Sequence, residues 1–476
     1  MHRESPLATD KGILMKPAAA ILCVLSLAGP LNADDPTDIG GRLELFADES
    51  LIGEMTGDVT QHLHKPEPKE VVLTTDKPWE GNTCAYYTIF QDGDLYRMYY
   101  RGSHADPKTR KGQHREVTCY AESRDGVHWI KPELGLFEWD GSKANNIVLD
   151  GLGTHCFVAF KDGNPTCAAE ARYKGISRGN PAGLYVFQSP DGIRWSLIQK
   201  KPVITKGAFD SQNLAFWDPH TKQYVDYHRT FVNGVRAIMT CTSPDFVTWT
   251  EPVLLKYPAG TPKQHLYTNA IRPYERAPHI RIGFPTRYIP KGSQVEPVFM
   301  SSRDGLHFHR WTEPVIPMTA PKDRNGNRSN YMANGLVRLP GNDREYAVYG
   351  TEAYYTGPDS RLRRFMYRID GFVSIRSGSS GGELITKPLT FSGNTLSLNL
   401  AVHQGGSARV EIQSSEGKPL KGFSLSDSKR LAGDEISVSA AWDTGSDVSD
   451  LAGKHVRLRF ELKNSDLYSI RFLNRE

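Results

Sequence analysis

Three acidic residues hold matching places in this 476-residue chain: Glu80 in Trp79-Glu80-Gly81-Asn82, Asp162 in Lys161-Asp162-Gly163-Asn164-Pro165, and Asp210 in Asp210-Ser211-Gln212-Asn213. Each is expected just before the innermost strand of a repeated β unit, so the three would converge on one hollow. Converging carboxylates among amides and aromatic rings suit cleavage of a glycosidic bond. One carboxyl protonates the leaving oxygen. A second attacks the anomeric carbon or activates water there, and further negative charge steadies the cationic transition state. Trp79 and Tyr267 would stack on a sugar face; His155, His265, Asn82, Asn213, Asn269 and Asn330 would hydrogen-bond its hydroxyls; Arg287 and Arg328 would add positive charge. An asparagine recurs at four of the five strand starts: Asn82, Asn213, Asn269 and Asn334.

The elements that must position these residues are set by repetition. Ser123-Arg-Asp-Gly-Val-His-Trp129 returns as Ser189-Pro-Asp-Gly-Ile-Arg-Trp195, Ser243-Pro-Asp-Phe-Val-Thr-Trp249 and Ser302-Arg-Asp-Gly-Leu-His-Phe308. The closing aromatics are 66, 54 and 59 residues apart. Asp-Gly turns the chain and the aromatic lands on the next strand, so each copy reads as a hairpin and performs no chemistry. Two or three β-like runs precede each copy. A four-stranded unit at this interval is a propeller blade. Residues 332–339, 345–349, 365–369 and 371–375 form a fifth, degenerate copy. The chain therefore reads as all-β: a five-bladed β-propeller over residues 34–375, then a C-terminal β-sandwich over residues 376–476, where apolar and polar residues alternate with period two. Leu396, Leu398 and Leu400 would face inside the sandwich. Residues 42–46 would pair with it or with the last blade. The composition agrees, with 43 Gly and 30 Pro as turn formers beside 8 Trp, 21 Tyr and 19 Phe.

Residues 17–31 (PAAAILCVLSLAGPL) follow Lys16 and lead to Asn32-Ala33-Asp34. A basic residue, a short apolar run and a small residue describe a signal peptide over residues 1–33, with Met15 a more typical start. The protein is then secreted or periplasmic; an uncleaved anchor is the other reading. Beyond the signal stand Cys84, Cys119, Cys156, Cys167 and Cys241, an odd set without zinc or disulfide spacing, apart from a Cys156–Cys167 pair. A net charge of +4 on 58 basic and 54 acidic residues carries no nucleic-acid footprint. The loop of residues 101–115 (RGSHADPKTRKGQHR) is either a solvated insertion or a basic rim that, with Arg272, Arg287 and Arg328, attracts an anionic glycan. Glu170 reads first as a strand-edge residue.

At these motifs the chain resembles the five-bladed propeller superfamily of glycoside hydrolase families 32 and 43, the invertase, levanase and arabinanase types. Trp79-Glu80-Gly81-Asn82…Asp92-Gly93…Tyr96-Arg97-Met98-Tyr99-Tyr100 is similar to the first-blade Trp-x-Asn-Asp-Pro-Asn-Gly…Tyr-His-Leu-Phe-Tyr segment. Phe160-Lys161-Asp162 resembles the second-blade Arg-Asp-Pro, and Asp210-Ser211-Gln212-Asn213-Leu214 the third-blade Glu-Cys-Pro-Asp-Leu. The resemblance implies Asp210 as acid, Asp162 as transition-state stabiliser and Glu80 as base or nucleophile. It departs at Cys84, which stands where the family's first Asp is counted, and at the shorter acid Asp210. No spacing asks for a cofactor; a central-channel Ca²⁺ is implied by analogy alone. The function expected is an exported glycoside hydrolase acting on an oligo- or polysaccharide. A non-catalytic carbohydrate-binding propeller is the alternative. A six-bladed sialidase is disfavoured by the Asp-Gly spacing.

Overall fold

The computed structural model describes residues 36–475; the expected signal peptide lies outside them. Five sheets of four or more strands follow in chain order. Blade one holds Ala85–Asp92, Leu95–Gly102, Val117–Ser123 and Ile147–Asp150. Blade two holds Val158–Lys161, Tyr173–Gly179, Gly183–Ser189 and Ser196–Leu197. Blade three holds Leu214–Asp218, Gln223–Val232, Val235–Ser243 and Val253–Leu254. Blade four is built on Arg272–Tyr274, Ala277–Gly283, Gln294–Ser302 and His309–Pro314, with His265–Leu266 and Thr286–Ile289 added. Blade five holds Val337–Arg338, Glu345–Glu352 and Arg361–Arg368. Its outermost strand is Glu67–Thr74, which pairs antiparallel with Arg361–Arg368. An early strand thus completes the last blade and closes the ring. This corrects the expectation that residues 371–375 supply that strand.

The repeated motif works as expected of a turn. Asp125 Oδ1 accepts the N–H groups of Val127 and His128 at 2.8 Å, and Ser123 Oγ accepts that of Gly126 at 2.9 Å. The same bonds recur at Asp191, Asp245 and Asp304. The glycine position is left-handed, with φ of 72°, 78° and 77° at Gly126, Gly192 and Gly305; in the third copy Phe246 takes that conformation at 69°. The glycine carbonyl also receives a neighbouring blade. Tyr349 donates to Gly126 O at 2.7 Å, Tyr99 to Gly192 O at 2.7 Å and Tyr227 to Gly305 O at 2.8 Å. These phenols latch blades five to one, one to two, and three to four.

Residues after blade five form an eight-stranded sheet with the N-terminal strands. Its long members, Ile52–Leu63, Val373–Thr386, Thr395–Ser414 and Val456–Leu473, are interrupted by register shifts between Ser377 and Gly382 and between Val402 and Ser407. Val373–Thr386 runs through residue 376, where the sequence reading divides the chain. Leu396, Leu398 and Leu400 enter the sheet's apolar core, with Phe391 stacked on Phe472 at 3.6 Å. Ser397 and Asn399 on the other face are buried too, because that face docks on the propeller: Asn399 donates to Ile369 O and Ser469 to Asp370. Glu44–Leu45 pairs with Ser469 and Ile470, joining this sheet. Among the described residues no helix is long and apolar enough to cross a membrane.

Candidate active site

Inner strands begin at the face we call upper and end at the lower. Their starts bring His155 of blade two, Asp210 of blade three, Tyr267 of blade four and Tyr331 before blade five onto the upper face. Each of the first three blades also sends an arginine there from its second strand. In each case the arginine lies five residues past the tyrosine that pairs with the motif serine: Tyr96 with Arg101, Tyr173 with Arg178, and Tyr224 with Arg229. Each arginine meets the next blade's start. Arg101 Nη1 lies 3.4 Å from His155, Arg178 Nη1 lies 3.7 Å from Asp210, and the Arg229 guanidinium sits 4.9 Å from the Tyr267 ring.

His155 is clamped between two acids. Its Nε2 is 2.7 Å from Asp210 Oδ1 and its Nδ1 is 2.8 Å from Glu116 Oε2. The hydrogen bond to His155, helped by Arg229 and Arg178, holds the Asp210 carboxyl well below the usual range. Burial raises Glu116, but His155 and Arg101 outweigh it and keep it low. His155 thus bridges the two carboxylates through its two ring nitrogens. Asp210 is the open member, its side chain 55% exposed.

Beside this clamp lies a floor of tyrosines: Tyr86, Tyr267, Tyr331 and Tyr354 are buried, with Tyr288 and Tyr355 at the margin. Burial pushes Tyr86 and Tyr331 far up and Tyr354 to about 12, so these phenols stay neutral donors. Arg236 lies 5.0 Å from the Tyr267 ring and 4.6 Å from Tyr288; Arg328 lies 5.9, 5.7 and 5.6 Å from Tyr267, Tyr288 and Tyr355. Among the described residues Arg229, Arg236 and Arg328 have no carboxylate partner. Nε of Arg101, Arg236 and Arg328 is buried without a hydrogen bond. Such groups call for a partner. Tyr86, Asn330 and Tyr355 adopt positive φ of 59°, 77° and 63°, strain gathered at this face.

Several residues expected in the hollow lie elsewhere. Glu80 is not in the hollow: its fully buried carboxylate binds Lys131 Nζ at 2.6 Å and the Tyr100 hydroxyl at 2.5 Å inside blade one. Asp162 follows the strand Val158–Lys161 instead of preceding it, so it lies toward the lower face, buried against Lys174 and the Tyr224 hydroxyl. His155 holds the blade-two start. Asp210 stands where expected, but ionised, which disfavours the acid role. Asn82, Asn213, Asn269 and Asn330 are buried and their amides hold backbone carbonyls, such as Ala105 O and Gly357 O by Asn82. Trp79 packs on the blade-one core and donates to Asn146. Arg287 is tied to Glu296 and Thr312 O. His265, at Arg236, and Tyr267 and Arg328 do join the face. The five cysteines among the described residues are all free, Cys156 and Cys167 included.

Two other places are less suited. A cavity of about 960 Å³ lies at the lower face among Gln91, Asp94, Arg124, Glu275, Arg338 and Asn342, residues of strand ends and turns. The axial channel offers Thr88, Asn334 and Glu275 among apolar residues, beside Lys161 and Arg272. Ca²⁺ takes six to eight oxygens, so this lining does not fit it. Asp226, His228 and Cys241 cluster in blade three, but His228 is engaged at both nitrogens, with Asp226 and with Lys206 O.

No known family profile matches the chain. Two curated relatives, uncharacterized proteins MT1551 and Rv1502 from strains of Mycobacterium tuberculosis, are each 29% identical over 118 residues, 25% of this chain. The match spans about a third of their length, 35%. Among solved structures, one described as a glycoside hydrolase aligns with TM-score 0.45 and 14% identity, over 64% of this chain and 92% of its own. Bombyx mori GH32 β-fructofuranosidase BmSUC1 aligns with TM-score 0.42 and 12% identity, over 87% and 94%. A β-1,2-mannobiose phosphorylase from Listeria innocua gives 0.43 and 11%, over 66% and 97%. At such identities and TM-scores these likenesses assign nothing, and the fold and chemistry of this chain are read from its own strands and upper face.

Proposed function

We propose that the chain is an exported glycoside hydrolase that acts on an anionic glycan, uronic or sulfated, at the upper face. The observation that carries this reading is the set of arginines without acidic partners, Arg229, Arg236 and Arg328, over neutral phenols and beside an exposed ionised carboxylate. Guanidinium forks match carboxylate and sulfate oxygens, and phenols suit hydroxyls. Asp210 then attacks the anomeric carbon or activates water, and His155 is the neighbouring group placed to transfer a proton. A second reading, binding without turnover, is favoured by the burial of Glu80 and Asp162, which leaves Asp210 and Glu116 tied to one histidine. Export rests on residues 1–33.

A panel of neutral, uronic and sulfated oligosaccharides decides, with reducing-end release and binding measured together. The proposal expects release from anionic members alone and its loss in Asp210→Asn with binding kept. Binding without release supports the second reading. Equal action on neutral glycans refutes the anionic assignment.

A further inference from the structure

The upper face is open on one side and walled on the other. The wall joins two loops. Asn82 bonds Ala105 O at 3.0 Å and Gly357 O at 2.9 Å, the N–H of Tyr355 donates to Asn82 O, and the Arg110 guanidinium sits 4.3 Å from the Tyr355 ring. Across the hollow, a cavity of about 290 Å³ starts at Asp210 and runs outward between blades two and three. Arg178, Arg229, Ala182, Gly183, Ala208 and Phe209 line it. Its arginines are consecutive members of the repeated set. Arg229, 5% exposed, fixes Nε on Ala208 O at 2.9 Å and leaves its terminal nitrogens without a protein partner among the described residues. Arg178 is 41% exposed and approaches Asp210 at 3.7 Å.

We infer that this cavity is the subsite for the next sugar unit. A glycan seated in the arginine–tyrosine hollow continues past Asp210 and out between blades two and three, with its next anionic group between Arg178 and Arg229. The size is near the lower end of small-ligand sites, about 300 Å³, which is room for about one further unit. The inference rests on the anionic-glycan reading and adds the direction of the chain.

Isothermal titration tests both. The probes are galacturonate as monomer and trimer, and 6-sulfated galactose as monomer and trimer, against the wild-type protein, Ala182→Trp and Arg178→Ala. Ala182 is exposed at the groove, so an indole there obstructs the path without disturbing a core. The trimer of the accepted anion is expected to bind at least tenfold tighter than its monomer. That ratio should fall to about one in Ala182→Trp and several-fold in Arg178→Ala, with melting temperature as the folding control. Equal binding of monomer and trimer, or a ratio unchanged in both variants, overturns the subsite and leaves the anionic reading standing. Absence of binding by all four probes overturns the anionic reading and the subsite with it.

Discussion

Replacing Glu80 separates the two roles its sequence context allows. A catalytic carboxylate sits in an accessible hollow, and its loss costs turnover while the fold holds. The structure places Glu80 instead at 0% side-chain exposure against Lys131, itself 11% exposed, with Tyr100 donating to its other oxygen. Glu80→Gln leaves the ammonium facing a neutral amide. Breaking a buried ion pair by removing one partner costs about 3–5 kcal/mol. Lys131 retains the Thr74 carbonyl at 2.7 Å and Asp76 at 3.1 Å, so the lower end applies, about 3 kcal/mol. In a large domain each kcal/mol moves Tm by about 2 °C, which gives a fall of roughly 6 °C. Calorimetry of Glu80→Gln, Lys131→Met and the double variant reads this, beside titration with the best anionic oligosaccharide. The double variant should recover most of the loss, because it buries no unpaired charge. Glycan affinity should stay within about twofold throughout. A Glu80→Gln protein that melts like wild type and loses all turnover would refute the reasoning.

Other outcomes follow from the same geometry. Tyr99→Phe and Tyr227→Phe each remove a blade latch and should cost about 1 kcal/mol apiece in denaturant unfolding; if neither moves the midpoint, the latch is ornamental. Arg236→Ala and Arg328→Ala should each weaken anionic-glycan binding about tenfold and flatten its dependence on salt, and a slope unchanged by both would deny them contact with the anion. Burial opposes it, but backbone N–H bonds hold Asp191 and Asp304 at about 2. Their contribution is whole above the usual aspartate value of about 4 and lost as pH falls toward 2. Melting temperature should therefore drop over that window, and less steeply in Asp191→Asn; parallel profiles would contradict the assignment.

The ring was readable because Asp-Gly and the following aromatic sit at fixed spacing, and turn chemistry is local. The closing strand was not, because Glu67–Thr74 meets Arg361–Arg368, which follows it only after nearly 300 residues. The site was legible in fewer places. His155, Asp210, Tyr267 and Arg328 were found by counting residues before inner strands. The count failed at Asp162, where the strand ends one residue earlier than the acid, and at Glu80, whose partner Lys131 is supplied by a distant loop. Arg101, Arg178 and Arg229 carried an unused signal: Tyr96-Arg-Met-Tyr-Tyr-Arg101, Tyr173-Lys-Gly-Ile-Ser-Arg178 and Tyr224-Val-Asp-Tyr-His-Arg229 repeat a tyrosine and an arginine five apart. Glu116 and Arg236 have no repeat, and their place at the site follows from tertiary packing alone.

A crystal structure with a uronic or sulfated trisaccharide, in a lattice that leaves the upper face open, bears most directly on the account. It should show an anionic group within hydrogen-bond distance of Arg236 and Arg328 and a sugar ring beside Asp210. Ligand density at the lower-face cavity of Gln91 and Arg338, with the upper face empty, would contradict it.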